Sequence, residues 1–396
     1  MTGAGQAVTT VADILAAVDR LAPFRLAEEW DTVGLLLGDG ARKVRRVLVS
    51  LDVTEAVCEE AERTKADCLL AHHPFFFKSL PRVTAEARAG RLALRLAEGR
   101  RAVIAAHTNL DAAAGGLNDL LAARAGLEDL EPLRAEPGPA RYKVVVIAPE
   151  GDLEAVRRAA FEAGAGRIGA YTECSFASPG EGTFFAGEGT KPTVGRRDKR
   201  SAVAEHRLEV VVEESHLGAV TAAIGRAASY ETPAVDVYPL KAVPGEAGPV
   251  VEDISHYRAG LGRIGRLKKP KTLARFADEV KRALGLKAIQ VAGESERPIR
   301  RVAVCTGSGS GLVETVRAAG LVRRSPQGEA GCDAYLVGEL KYHESQALAA
   351  EGIGVVLGGH YETERVPLED WTPRLAKIVD AEVVLSKAER GAIRTR

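Results

Sequence analysis

Short, continuous apolar runs alternate with amphipathic stretches along the first third of the chain. "RRVLVSLDV" (45–53) has the pattern of a buried strand, and "TEAVCEEAERTKA" (54–66) follows as a helix that Thr54 can cap. "DCLLAHH" predicts a second strand, "AEARAGRLALRLAEG" (85–99) a second helix and "RAVIAAH" (101–107) a third strand. Ahead of these, Val11, Ile14, Leu15, Val18 and Leu21 fall on one face of an amphipathic helix. Such alternation predicts an α/β sheet covered by helices.

The end of the chain repeats the scheme. "RRVAVCTGSGSGLVETVRAAG" (300–320) predicts strand, turn and helix; "CDAYLVGELKYH" (332–343) a strand ending at His343; "IGVVLGGHYETE" (353–364) a strand ending at His360. The two ends align run by run, and His107-x-x-x-Asp111 matches His360-x-x-x-Glu364. Two related α/β halves follow, with polar residues gathered at the carboxyl ends of strands, where open α/β sheets bind their ligands.

A different pattern separates them. "EPLRAEPGPAR" (131–141) reads as a linker. A strand ("YKVVVIAPE"), a helix (153–164), a strand (206–214), a helix (216–227) and a strand (233–240) come next. That order predicts a ferredoxin-like α+β domain inserted into the larger one. The expected division is 1–130, 131–245 and 246–396, with the inserted His206 and His216 at surface positions.

Composition narrows the function classes. Acidic and basic residues number 54 each, which disfavours capture of nucleic acid or anionic membrane by overall charge. No apolar run reaches the ~18 residues of a spanning helix, and the N-terminal stretch lacks the basic and apolar regions of a signal peptide. Five cysteines without CxxC spacing fit a cytoplasmic protein in a reducing compartment.

The candidate chemistry lies in the strand-end histidines His72, His73, His107, His343 and His360. Pro74 holds His73 extended, and adjacent side chains diverge there, which suits serving two neighbouring sites. On a helix opening at "HYETE", His360 and Glu364 share one face. Imidazole and carboxylate without thiolate are ligands for zinc, iron, manganese, cobalt or nickel. "GLGRIG" (260–265) satisfies GxGxxG but lacks the strand and acidic ribose reader of a dinucleotide site, so it reads as a turn or close backbone packing. "CTGSGSG" (305–311) follows a strand and reads as a strand-to-helix turn, with an anion-cradling alternative. Phe75, Phe76 and Phe77 read as packing residues, and Lys341 and Tyr342 as surface ones.

"AEEWDTVGLLLG" (27–38), "AHHP", "HTNLDAAAGGLND" (107–119), "GLGRIGRL" (260–267), "GELKYHE" (338–344) and "GGHYETER" (358–365) together resemble the GTP cyclohydrolase 1 type 2 homologues, also called the NGG-one-interacting-factor-three-like family. The middle segment is similar to the insertion of the longer members, which resembles PII and CutA-like folds. The resemblance implies two divalent ions per chain, held by His72, His73, Asp111, His360 and Glu364. Each of His72 and His73 would serve one ion, with Glu364 bridging. His107 and His343 would support the ligands or transfer protons. It also implies a toroidal homo-hexamer and metal-dependent hydrolysis of a nucleotide or phosphoester, with opening of the guanine ring of GTP suggested by the family label. The alternative is a metal-storage, metallochaperone or regulatory assembly.

Overall fold

The computed structural model describes residues 9–76, 82–135, 141–168, 171–240, 259–321 and 331–393. Phe77, His256 and the expected domain junction at 245–246 lie outside the described residues. Contacts divide the described residues into two compact units, one drawn from 1–136 and 258–396, the other from 137–257.

The larger unit opens with α1 (Val11–Leu21), whose start is fixed by reciprocal hydrogen bonds between Thr10 and Asp13. Then come β1 (Gly34–Leu37), β2 (Arg46–Ser50), α2 (Glu55–Arg63), β3 (Cys68–Ala71), α3 (Arg88–Glu98) and β4 (Ala102–Ala105). As expected, the Thr54 hydroxyl caps α2 by accepting from the Val57 amide. Two short helices, α4 (Thr108–Ala112) and α5 (Leu117–Arg124), lead into β5 (Leu127–Ala135).

The smaller unit comprises β6 (Arg141–Pro149), α6 (Leu153–Glu162), β7 (Ser175–Phe185), β8 (Arg200–Glu213), α7 (Glu214–Ala227) and β9 (Ala234–Leu240). Its strands form one antiparallel sheet in the order β7-β8-β6-β9. Val144, Val146, Leu208, Val210 and Val212 alternate onto one face, against Val156 and Ala160 of α6 and Val220 and Ile224 of α7.

The chain returns to the larger unit with β10 (Gly260–Thr272), α8 (Leu273–Ala283), β11 (Gln290–Ala292), β12 (Pro298–Ser308), α9 (Val313–Leu321), β13 (Ala334–Glu339), α10 (Tyr342–Ala350), β14 (Gly354–Leu357), α11 (His360–Ala376) and β15 (Glu382–Leu385). Its two sheets have the orders β1-β4-β3-β2-β15 and β11-β14-β13-β12-β10-β5. In one, β2, β3 and β4 are parallel neighbours; in the other, β12, β13 and β14 are. The same β-α-β-α-β unit thus occurs twice.

Both sheets are covered on both faces, which is why their central strands read as unbroken apolar runs. Val47, Val49, Leu70 and Ile104 pack on α1 and on Leu368, Trp371 and Leu375 of α11; Leu48, Leu69 and Val103 pack on α2 and α3. Val302, Val304, Leu336 and Val356 pack on Phe276 and Val280 of α8; Ala303, Tyr335 and Val355 pack on Val316 and Leu348.

Two expectations are corrected, and of the two readings of "GLGRIG" close backbone packing holds. Residues 131–135 are the end of strand β5, paired with β10, and not a linker. "GLGRIG" is the start of β10 and makes no turn: a Cβ on Gly260 would come within 2.2 Å of the Arg134 carbonyl oxygen, so glycine permits close packing against β5. The run ending at His343 is a strand only as far as Glu339; His343 sits in the first turn of α10.

Candidate metal centre

The carboxyl ends of the central parallel strands face one cluster. His72 and His73 follow β3, and their amides extend its ladder by donating to the carbonyls of Ser50 and Leu51. His107 follows β4, Asp111 lies on α4 one turn later, and His360 and Glu364 lie on the first turns of α11. Both sheets therefore contribute, and hydrogen bonds join them at the cluster. The Thr306 hydroxyl donates to Asp111 Oδ1 at 2.7 Å, and the Thr306 amide donates to Asn118 Oδ1 at 2.9 Å.

Glu364 is the hub. Its Oε1 lies 3.2 Å from His360 Nε2 and 3.8 Å from His72 Nε2, and its Oε2 lies 3.1 Å from His73 Nε2. His72 Nε2 is also 3.7 Å from Asp111 Oδ2. Donor atoms of His72, His73 and His107 lie within 4.8 Å of one another, as do those of His73, His360 and Glu364. The rings of His72 and His73 remain close, with centroids 5.1 Å apart, while His73 belongs to both groups.

On the far side, each imidazole is anchored through Nδ1. That atom lies 2.9 Å from the Ala106 carbonyl oxygen for His72, 2.9 Å from Asp52 for His73, 3.0 Å from Asp31 for His107 and 3.2 Å from Glu339 for His360. A metal-binding histidine is held in this way, because the outer acceptor fixes the tautomer and leaves Nε2 as the ligand. The anchors have support of their own. Asp31 also accepts from the Thr108 amide and hydroxyl, and the buried Glu389 carboxylate accepts from the Leu51 and Asp52 amides.

Two observations show that the residues fit a cation. His72 Nε2 is a buried polar atom without a hydrogen-bond partner, 3.7 Å from Asp111 Oδ2 and 3.8 Å from Glu364 Oε1, an expensive arrangement unless something positive lies between them. Beside them, Gly307 has φ +56, and a Cβ there would come within 2.0 Å of Glu364 Oε1. This glycine in "CTGSGSG" keeps the carboxylate's surroundings clear.

Electrostatics agree. Burial pushes the Asp111 carboxyl up, helped by the Glu364 charge, to about 7. Burial would raise Glu364 too, but hydrogen bonds from His360 and His73 hold it well below the usual carboxylate range. His72 is pushed down to about 3, chiefly by burial. Burial would also lower His73, yet Asp52 and Glu364 outweigh it and raise the ring to about 10. Glu364 is the main cause of the rise of His360 to about 9.

These shifts set opposite pH trends. Both raised histidines bind protons more tightly in the fold than at the ordinary value of about 6.5. Their contribution to a cation-free fold is therefore complete below about pH 6.5 and is lost as pH rises through about 9 and 10. A cation must displace those same protons, so its affinity rises over the same window. Chelator-treated protein should melt at a lower temperature at pH 10 than at pH 7, while zinc affinity measured by competition increases. Parallel trends in both quantities would contradict this account.

The cluster opens on two cavities. One, of about 500 Å³, is lined by His73, His107, Asp111, His360 and Glu364 together with Trp30, Arg134 and Leu312. The other, of about 560 Å³, shares His73 and His360 and is lined also by Asp52 and Glu339.

The structure thus brings together His72, His73, Asp111, His360 and Glu364, and adds His107 among the donors. It does not bring His343, which is exposed and lines neither cavity. Sequence reasoning did not single out Asp31, Asp52 and Glu339. Asp31 belongs to "AEEWD", and Asp52 and Glu339 sit at strand ends, which was the available signal.

Comparisons with known proteins agree with this architecture. The family model Duf34/NIF3 (NGG1p interacting factor 3) matches residues 9–391. A Halalkalibacterium halodurans relative named GTP cyclohydrolase 1 type 2 homolog is 36% identical over 378 residues, covering 94% of this chain and 95% of its own. The Mycobacterium tuberculosis protein of the same name is 37% identical over 358 residues, with 89% and 88% covered. Among solved structures, a Bacillus cereus protein related to NIF3 superposes with a TM-score of 0.75 at 32% identity, over 99% of this chain and 100% of that one. A Staphylococcus aureus protein gives 0.80 at 26% identity with the same coverage. With the match running through both sheets and the histidine cluster, the chain belongs to the Duf34/NIF3 family.

Proposed function

We propose that the cluster is a dinuclear divalent-metal centre and that the protein is a metal-dependent hydrolase of a nucleotide or phosphoester. The observation that carries this is that His72, His73 and His360 are each anchored outward through Nδ1 and turned inward onto the two oxygens of the Glu364 carboxylate, with the similarly anchored His107 beside them. His72, Asp111 and His107 would face one ion, His73 and His360 the other, with Glu364 shared. The position of His107 among the donors favours a cation-facing role over proton transfer. Zinc, iron, manganese, cobalt and nickel all suit the donor set. Bound cations would supply Lewis acidity for attack on a phosphorus or carbon centre. The Thr306 hydroxyl, donating to Asp111 Oδ1, would leave the other carboxylate oxygen of Asp111 to face the ion.

Metal analysis of protein purified without chelator tests the first part, with about two ions per chain expected. A turnover screen of GTP, other nucleotides and phosphomonoesters tests the second. If loaded protein turns over none of them, the catalytic reading fails and a storage or metallochaperone role replaces it.

We further read the smaller unit as a ferredoxin-like, PII/CutA-type insertion. Its β-α-β-β-α-β order and fully antiparallel sheet support this. The flanking strands support an insertion because Ala135 of β5 and Gly260 of β10 are register partners, so the larger unit's own ends meet. Replacing 136–258 by a short Gly/Asn turn should close a β-hairpin, leaving a soluble protein that binds as much metal as the full chain. Loss of folding or of metal would show that the insertion belongs to the core. The five free cysteines suit a cytoplasmic, reducing setting. A homo-hexamer is the proposed assembly, to be checked by light scattering.

A further inference from the structure

We infer that Trp30 is the platform on which a planar, nitrogen-containing aromatic ring of the substrate stacks. The inference rests on reading the metal cluster as the reacting centre, since Trp30 lines the same cavity of about 500 Å³. That volume falls within the usual range for a site that takes a small organic molecule.

Most large aromatic side chains in a fold are buried, and the chain's other tryptophan, Trp371, is only 1% exposed. Trp30 is 64% exposed. Its backbone is nevertheless tightly held. The Asp31 amide donates to the Glu28 carbonyl at 2.9 Å, the Glu28 amide donates to Thr108 Oγ1 at 3.0 Å, and Asp31 accepts from the Thr108 hydroxyl at 2.5 Å. The Asp31 carboxylate also anchors His107. The indole stands edge-on to the His107 ring, with centroids 6.0 Å apart and planes at 75°. One turn thus sets both a cluster imidazole and an exposed aromatic face beside it.

The rest of the lining fits a heteroaromatic ring. Leu261 and Leu312 supply apolar surface, and Glu28 and Arg134, paired with each other, supply an acceptor and donors for a polar ring edge. A purely aliphatic phosphoester would leave the indole face in water. Stacking of a base on an aromatic side chain contributes about 1–3 kcal/mol, and nearly any base can use it.

Trp30 is also the exposed fluorophore of the pair, which gives a readout independent of turnover. Zinc-loaded full-length protein would be titrated with GMP, AMP and ribose 5-phosphate, following tryptophan emission and, in parallel, heat. GMP and AMP should quench the emission saturably, whereas ribose 5-phosphate, which carries the phosphate without the ring, should not. Trp30→Ala should weaken nucleotide binding at least tenfold, while Trp30→Phe should keep it within about threefold, the pattern expected for stacking. Equal binding of ribose 5-phosphate and GMP, no binding of any nucleotide, or unchanged affinity in Trp30→Ala would overturn the inference. So would emission that depends on protein concentration and not on ligand, which would mean that another copy covers the indole. Nucleotide binding without turnover would sink the hydrolase reading alone.

Discussion

Glu364→Ala should strip the centre of tightly held metal while leaving the fold standing. The residue lies within reach of His72, His73 and His360, so its removal takes a donor from both proposed ions at once. Loss of a residue that only supports a ligand costs roughly 10–100-fold in metal affinity. Loss of the shared carboxylate should exceed the upper end of that range, and gel-filtered protein should retain little metal. Asp52→Asn gives the comparison, because it weakens only the anchor behind His73 and should fall within the range. A second signature is protonation. With the carboxylate gone, His360 should titrate closer to its ordinary value, since Glu364 is the main cause of its rise to about 9. Full metal loading in Glu364→Ala, with a normal circular dichroism spectrum, would refute the assignment of the hub.

Much of this centre was legible because its parts are rare and local. The chain holds eight histidines, and adjacent ones at the end of an apolar run stand out against that background. The anchors did not stand out. Asp31, Asp52 and Glu339 are three among 54 acidic residues, and only folding shows which ones lie behind an imidazole. His343 misled for a related reason. It follows a real strand, but that strand stops at Glu339, and the turn into α10 leaves the ring in solvent.

The fold shows the same division. Strands β3 and β4 are buried at every position and read plainly as apolar runs. Strand β5, "LEDLEPLRA", forms a sheet edge, where charge and Pro132 are tolerated, and so looked like a linker. Strand β7 carries Pro179, Gly180 and Gly182 for the same reason and was not foreseen. The exchange between halves left no local trace. β5 joins the sheet built from the end of the chain, and β15 joins the sheet built from its beginning, through partners far apart in sequence.

The buried arginine of "GLGRIG" should prove the most sensitive position for stability. Arg263 is 1% exposed, and its guanidinium forms a fork with Asp119, at 2.9 Å from Nε to Oδ1 and 2.7 Å from Nη2 to Oδ2. Its remaining donors reach the carbonyls of Gly260 and Gly262 at 2.6 and 2.8 Å and that of Ala113 at 2.8 Å. One side chain thus joins β10 to the loop that follows the candidate ligand Asp111. Arg263→Ala leaves Asp119 without its cation and several carbonyls without donors, a change that costs about 3–5 kcal/mol at a buried pair. For a unit of this size that corresponds to a fall in melting temperature of roughly 5–9 °C. Arg263→Lys should recover little, because an ammonium cannot reproduce the planar fork. Adding Asp119→Ala to Arg263→Ala should restore part of the loss by removing the stranded charge, which identifies the pair as its source. Metal affinity should weaken alongside stability in Arg263→Ala, since the loop after Asp111 loses its tie. An Arg263→Ala protein that melts within about 2 °C of the wild type, well under 3 kcal/mol on the same conversion, would mean that this fork does not hold the two sheets' elements together.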